Sequence, residues 1–478
     1  MLDMKKGKIK SLYGFFAVFG SNLLSLFISV LITLLFPKVL SEIDYSYFQL
    51  YIFYSSFVVF GHLGIVDGIY LRYGGLFYHE LNFTLLNAQF KVLIFVECLI
   101  ALFLLLIGLY EPVYEKSIVF IICSIALLLS NVRIFYSQLL LTTARMNEYA
   151  RVMLLERLVF ISLSLLYFTI SQQNTFEVVC LLDLLARACS YVYVRKIMPE
   201  IQLFGKFDLR KGASEIVINW GSGINLYFSN MVGMISVGIF RYLIEKKWDI
   251  IAFGKVSLAI SAVGSFVILS NAASLALFPA MRRIEEIYMK EGFIIANDIL
   301  CWLGLLLQWL YFPLCGVLKI WLPNYADSFF YMGLLFPMCV YDIKWTSLES
   351  TILKVKRKEK YILYINGLSI LLSSVFGIFI WLNLCSLASA MIGIVIVFLC
   401  KHIMGLIIVR RQLAIDKYSL HTECITFIII ILYYMIVVNA DTLNGGLMYG
   451  ALMILLGVGG IRPIRKKIEK FNTVFKKA

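Results

Sequence analysis

The stretch Leu85–Leu109, LLNAQFKVLIFVECLIALFLLLIGL, decides the fold. A helix needs about 20 mostly apolar residues to cross the ~30 Å hydrocarbon core of a bilayer. This run meets that length with Lys91 toward one end and Glu97 in its middle. A second run of the same kind covers 116–141. The same reading gives earlier spans at about 11–36 and 45–70, then 150–171 and 175–197. The remainder yields 214–241, 249–277, 292–318, 325–352, 360–382 and 384–410, and a final pair at 421–438 and 444–461. The expected fold class is an all-α polytopic membrane protein of about 14 transmembrane helices.

Composition agrees. Apolar residues make up 61% of the 478 residues, charged residues 15%, and mean hydropathy is +0.88. Soluble domains hold roughly 45–50% apolar and about 25% charged residues, because their surface needs polar cover. The first apolar run follows Lys5, Lys6, Lys8 and Lys10 and is too long for a signal-peptide core, so it is expected to stay as the first helix.

The formal charge of +14 is explained by position. Alternate loops carry Arg145 and Arg151, then Arg195, Lys196, Lys206, Arg210 and Lys211, then Arg282, Arg283 and Lys290. The series continues with Lys354, Lys356, Arg357, Lys358 and Lys360, and with Arg410, Arg411 and Lys417. Opposite loops hold only Lys38, Lys116, Arg241, Lys246, Lys247 and Lys319. With the four N-terminal lysines and the seven basic residues after Ile461 the asymmetry is roughly fivefold, and by the positive-inside rule it places both termini in the cytoplasm. Nucleic acid is not needed to account for the charge. In the tail, Ile464, Ile468, Phe471 and Phe475 recur among Arg465, Lys466, Lys467 and Lys470. That pattern fits either a basic interfacial helix on an anionic leaflet or a solvated tail.

Several chemistries lack a sequence basis. The cysteines show no metal or redox spacing and sit mostly in apolar runs. No P-loop is present, and the cluster Gly457, Gly459 and Gly460 reads as helix packing. His62, His79, His402 and His421 are scattered near expected helix ends and read as interfacial residues. No catalytic constellation and no resident cofactor is expected.

Ionisable groups inside spans are costly and usually line a cavity or pair. The candidates for a cationic lining are Arg72, Arg133, Arg157, Arg187 and Lys344, which suit an anionic substrate because Arg forks onto phosphate oxygens. Glu97, Glu156, Asp183 and Asp342 are candidates for a coupling ion, H+ or Na+, or for ion pairs with nearby bases. Asp183 and Arg187 share a helix face at i,i+4. Asn219, Asn225 and Asn230, with Ser222 and Ser229, offer a polar face for sugar hydroxyls or for helix packing.

The expected organisation is a lobe of six spans at 1–197, an amphipathic cytoplasmic linker at 198–213 and a second lobe at 214–410. Two further spans lie in 411–461, and a basic tail in 462–478. The two lobes open alike. Gly20 and Asn22 match Gly223 and Asn225, and the acidic loops at Glu42 and Asp44 match those at Glu245 and Asp249.

Gly20-Ser21-Asn22 through Tyr45-Ser46-Tyr47-Phe48, and Leu63-Gly64-Ile65-Val66-Asp67-Gly68-Ile69 running into Leu71-Arg72-Tyr73-Gly74-Gly75, carry a resemblance. The chain resembles the polysaccharide transporter branch of the multidrug/oligosaccharidyl-lipid/polysaccharide exporter superfamily, in length, span number and loop size. The resemblance implies two six-helix lobes around a central cavity with two extra C-terminal helices. It also implies alternating access that moves an undecaprenyl-pyrophosphate-linked oligosaccharide across a bacterial cytoplasmic membrane for O-antigen or capsule synthesis. Basic cavity residues would meet the pyrophosphate, and polysaccharide polymerase machinery is an implied partner. Arg72 is the one cationic candidate inside the resembling stretch. The first-span arginines of some lipid-II-type flippases are missing, which argues against a peptidoglycan precursor. A drug or cation antiporter of the same superfamily is the alternative, and a membrane-embedded transferase the third reading.

Overall fold

The computed structural model describes residues 2–202, 209–283, 286–415 and 421–456. Every regular element among them is helical. Nine helices are long and apolar enough to cross a membrane among the described residues, and a bent pair makes a tenth. The chain is an all-α polytopic membrane protein. It divides into two compact units, Met1–Met231 and Val232–Ala478.

The first unit contains α1 (Leu2–Val39), α2 (Glu42–Val58), α3 (Ile65–Tyr73), α4 (Phe83–Tyr110) and α5 (Tyr114–Thr142). It continues with α6 (Met146–Ile170), α7 (Phe176–Ile197) and the first part of α8 (Leu209–Lys247). α5 is its hub and packs on α2, α3, α4 and α7, while α1 lies on α6. Asp44 bonds the Ser41 hydroxyl at the start of α2 and also accepts from the backbone of Phe176, which ties α7 to α2.

The second expected span, 45–70, is not continuous. α2 and α3 meet at 55° across a 3-10 turn at Val59–His62. Leu63 (φ 49°) and Gly64 (φ 84°) adopt left-handed backbone there, and glycine makes that conformation accessible. The break frees carbonyls in a region without water, so neighbouring helices supply donors. Asn131 Nδ2 on α5 donates to Val58 O at 2.9 Å, and the Tyr227 hydroxyl on α8 donates to Phe60 O at 3.1 Å. His62 is buried in this break, its Nδ1 accepting from Gly64 N at 3.1 Å, which corrects its interfacial reading. Beyond the break, α3 lies backbone to backbone on α8. A Cβ on Gly68 would stand 1.9 Å from Asn219 O, and one on Gly223 would stand 2.2 Å from Gly68 N.

The second unit completes α8 and adds α9 (Ile250–Arg283), α10 (Glu286–Trp309), α11 (Tyr311–Trp321) and α12 (Ala326–Leu335). α13 (Met338–Lys344), α14 (Ser350–Val355), α15 (Glu359–Trp381), α16 (Leu387–Gln412) and α17 (His421–Asn439) follow, then α18 (Thr442–Leu456). The expected span 325–352 is also interrupted. Pro337 lacks the N–H that would reach Gly333 O. Tyr433 on α17 donates to Gly333 O at 3.0 Å and Tyr434 to Leu334 O at 2.9 Å, restoring what the proline removes. A π turn at Trp345–Glu349 separates α13 from α14.

The centre of the expected linker, 203–208, lies outside the described residues, as do the glycine cluster at 457–460 and the basic tail. At the linker's start, Asn87 on α4 donates to Glu200 O at 2.9 Å and accepts from Gln202 N at 2.7 Å.

Gly68→Ala is expected to destabilise the detergent-solubilised protein by about 1–3 kcal/mol, as overpacking does. Gly233→Ala, where a Cβ meets nothing within 4 Å, should leave the thermal midpoint unchanged. Equal midpoints for both variants would refute the close α3–α8 crossing.

Candidate functional site

In the first unit, α7 delivers Asp183 and Arg187 one turn apart into the space between α2 and α5. Arg187 Nε donates to Asp183 Oδ2 at 2.8 Å, and the Tyr51 hydroxyl donates to the same oxygen at 2.5 Å. The two terminal nitrogens of Arg187 donate to Ser130 Oγ at 2.5 Å and Ser55 Oγ at 2.9 Å. Three helices are thereby pinned through one guanidinium, and its fork is filled by protein acceptors. Arg133 on α5 is buried as well, with Nε 2.7 Å from Glu156 Oε2 of α6 and one terminal nitrogen on Met153 Sδ at 3.1 Å. Both pairs are neutral overall. That is how a membrane interior accommodates a charge that lines no water.

The remaining arginines are placed differently. Arg157 is exposed on α6. Arg72, also exposed, sits in the last turn of α3 and bonds two residues of α8: Glu215 Oε2 at 2.9 Å and Asn219 Oδ1 at 2.5 Å. The chain of bonds runs on from Asn219 Nδ2 to Gln89 Oε1 at 2.7 Å and from Gln89 Nε2 to the Tyr73 hydroxyl at 3.1 Å. Asn219 is therefore a buried structural link, whereas Asn225 and Asn230 are exposed. The three asparagines do not share one face. The exposed polar stripe of α8 is instead Ser222 with Asn225, three residues apart on one side of the helix. Glu97 on α4 is 0% exposed, and neither carboxyl oxygen has a hydrogen-bond partner among the described residues.

The second unit concentrates its charges around α16 and α17. Lys344, 0% exposed at the end of α13, donates to both carboxyl oxygens of Glu423 at 2.7 Å. Asn297 Nδ2 on α10 donates to Glu423 Oε1 at 2.8 Å. His402 on α16 stands between two carboxylates: Nδ1 lies 2.5 Å from Glu349 Oε1 and Nε2 lies 3.1 Å from Glu423 Oε2. Tyr341 stacks on its ring with centroids 5.9 Å apart. Asp342 is buried nearby, with Lys401 of α16 as the opposing charge in reach. Lys344 is thus neutralised in place, like Arg133 and Arg187.

Sequence reading missed His402 and Glu423. His402, interfacial by its sequence position, is buried within α16. Glu423 falls in the first turn of α17, where an acid is ordinary helix chemistry and carries no signal of a partner 79 residues away. The usable clue was Lys344, a lysine inside an apolar span, which demands an acid from somewhere.

No family model matches the sequence, and no curated protein matches it. Solved structures do share the fold. The chain is similar to the lipid II flippase MurJ in an inward closed conformation, with a TM-score of 0.63 and 12% identity over 95% of this chain and 100% of that one. It is also similar to a multidrug resistance MATE family transporter of the MOP superfamily in an inward-facing conformation, with a TM-score of 0.55 and 11% identity over 81% of this chain and 98% of the other. The chain shares its fold with these two proteins.

Removing one member of a buried pair strands the other. Asp183→Asn is expected to cost about 3–5 kcal/mol of stability, and the double change Asp183→Leu with Arg187→Leu to recover most of it. A denaturation cycle in mixed micelles measures the coupling. A double variant no more stable than Asp183→Asn would show that the pair is not the clip described.

Proposed function

We propose that the protein is a flippase for undecaprenyl-pyrophosphate-linked oligosaccharide repeat units, working by alternating access in a bacterial cytoplasmic membrane with both termini in the cytoplasm. The observation that carries this reading is the likeness to a lipid II flippase over 95% of the chain. The unmatched share is shorter than residues 421–456, so at least part of the final helix pair is included, whereas the MATE transporter matches 81%. A lipid-linked cargo other than lipid II is favoured because the first span has no arginine. The product would feed a surface-polysaccharide polymerase. The chain itself would perform no covalent chemistry.

The pairing of charges narrows the residues that meet the cargo. Arg133, Arg187 and Lys344 are each paired with an acid inside the helix packing, so the pyrophosphate is assigned to the exposed Arg157, with Arg72 joining it when it exchanges its Glu215 and Asn219 partners for phosphate oxygens. A planar guanidinium forks onto two phosphate oxygens, each bond worth about 1.5–3 kcal/mol. Ser222, Asn225 and Asn230 are exposed amide and hydroxyl groups suited to sugars. The alternative cargo, a drug cation exchanged for an ion, is kept open by the buried acid Glu97.

In a strain lacking the protein, complete undecaprenyl-linked repeat units should accumulate and stay inaccessible to an external glycan-modifying probe. Normal levels with normal accessibility would reject the reading, and an incomplete sugar would point to a missing enzyme instead. In complemented cells Arg157→Gln should lower export at least about tenfold with protein level unchanged, while Arg187→Gln should lower the amount of folded protein.

A further inference from the structure

We propose that His402, Glu349, Glu423 and Lys344 form a proton-binding site, and that the proton it holds clamps α17 to the interior of the second unit. The use of this site in transport rests on the function proposed above; the binding of the proton does not.

The argument begins with the two edges of one imidazole. Nδ1 lies 2.5 Å from a Glu349 oxygen and Nε2 lies 3.1 Å from a Glu423 oxygen. A lone pair on nitrogen cannot face a lone pair on carboxylate at such distances, so each edge must carry a proton. A neutral imidazole supplies only one. The second belongs either to the ring, making it imidazolium, or to Glu349. Charge balance requires the same proton. Lys344 and Glu423 cancel, which leaves Glu349 and His402. With the shared proton they sum to zero; without it a negative charge sits unpaired in a site closed to water, which is strongly disfavoured.

A further cation acts on Glu349, Lys401 of α16, but it comes with an acid of its own, Asp342 of α13, and the two together leave the balance unchanged. Tyr341 on α13 also faces the group, and Lys401 lies over the Trp345 ring at 5.0 Å. On α10, Asp298 accepts from Thr422 at 2.8 Å and Cys301 is 2.6 Å from Thr426. Among the other helices packed on α16, α12 has Asp327, which pairs with Lys255 at 2.8 Å. α14 brings Lys354, which is exposed, and α15 brings Tyr361 and Tyr364 near its start.

The local backbone is shaped for this group. The π turn Trp345–Glu349 sets the carboxyl of Glu349 against α16, and such turns recur where function needs an off-register side chain. Gly405 leaves the room: a Cβ there would come within 2.2 Å of Glu349 Oε2. Glu423 lies in the first turn of α17, so movement of that turn separates the Nε2 edge from its acceptor and opens the proton to water. Release of the proton then leaves Glu349 charged, and the group reforms only when a proton returns.

The test uses the full chain in lipid nanodiscs with 15N-labelled histidine. The chain has four histidines, so the His402 signal is the one lost in His402→Gln. Should that variant not fold, changing His62, His79 and His421 to Gln isolates the same signal. At pH 8, where an ordinary histidine is neutral, two outcomes support the site. One is a His402 ring protonated on both nitrogens. The other is a singly protonated ring together with an infrared band of a protonated carboxyl that vanishes in Glu349→Gln. A neutral ring with no Glu349 carboxyl band overturns it. Protonation in the spectrum with normal lipid-linked sugars in the deletion strain would keep the site and discard the cargo. An unprotonated group with blocked sugars would discard the site alone.

Discussion

A backbone carbonyl or a charge set free inside hydrocarbon has no water to turn to, and this constraint organises the molecule. Unbroken helices satisfy it internally. The chain nevertheless breaks α2 from α3 and α12 from α13, and each break is mended from another helix by a side chain with a donor at its tip. Asn131 and Tyr227 do this in the first unit, Tyr433 and Tyr434 in the second. Tyrosine suits the task because its ring packs as an apolar body while its hydroxyl reaches a carbonyl. The breaks are therefore supported features of the fold.

Charges obey the same constraint. Arg187 and Asp183, Arg133 and Glu156, Lys344 and Glu423 each bring opposite signs to one point, from one helix or from two. Their charges are thereby engaged within the protein. Arg72 is exposed yet also ties α3 to α8 through Glu215 and Asn219, whereas Arg157 is exposed on α6.

The architecture was legible because its signal is long and repeated. Runs such as 85–109 and 116–141 correspond to α4 and α5 within a few residues. The α2–α3 break was hidden because Leu63-Gly64 lies in an apolar run whose hydropathy does not register backbone handedness. The Asp183–Arg187 pair was readable from i,i+4 spacing alone. Its additional partners Tyr51, Ser55 and Ser130 were not, since three distant helices bring them together. The same holds for His402 and Glu423, whose meaning depends on a fold that places α16 beside α17. Periodicity cannot say which side of α8 another backbone will cover, so it left Asn219, Asn225 and Asn230 open between sugar binding and helix packing; the Gly68 backbone lies against Asn219.

The contacts of α17 bear on where the chain could be shortened. Tyr433 mends the gap left by Pro337, Tyr434 mends the one beside it, and Glu423 answers Lys344. A chain cut before this helix would leave the carbonyls of Gly333 and Leu334 without these donors and Lys344 without its acid. α17 is thus not an appendix to a finished body, and truncation ahead of it would unsettle helices whose contacting residues precede its own by 79 to 100 positions.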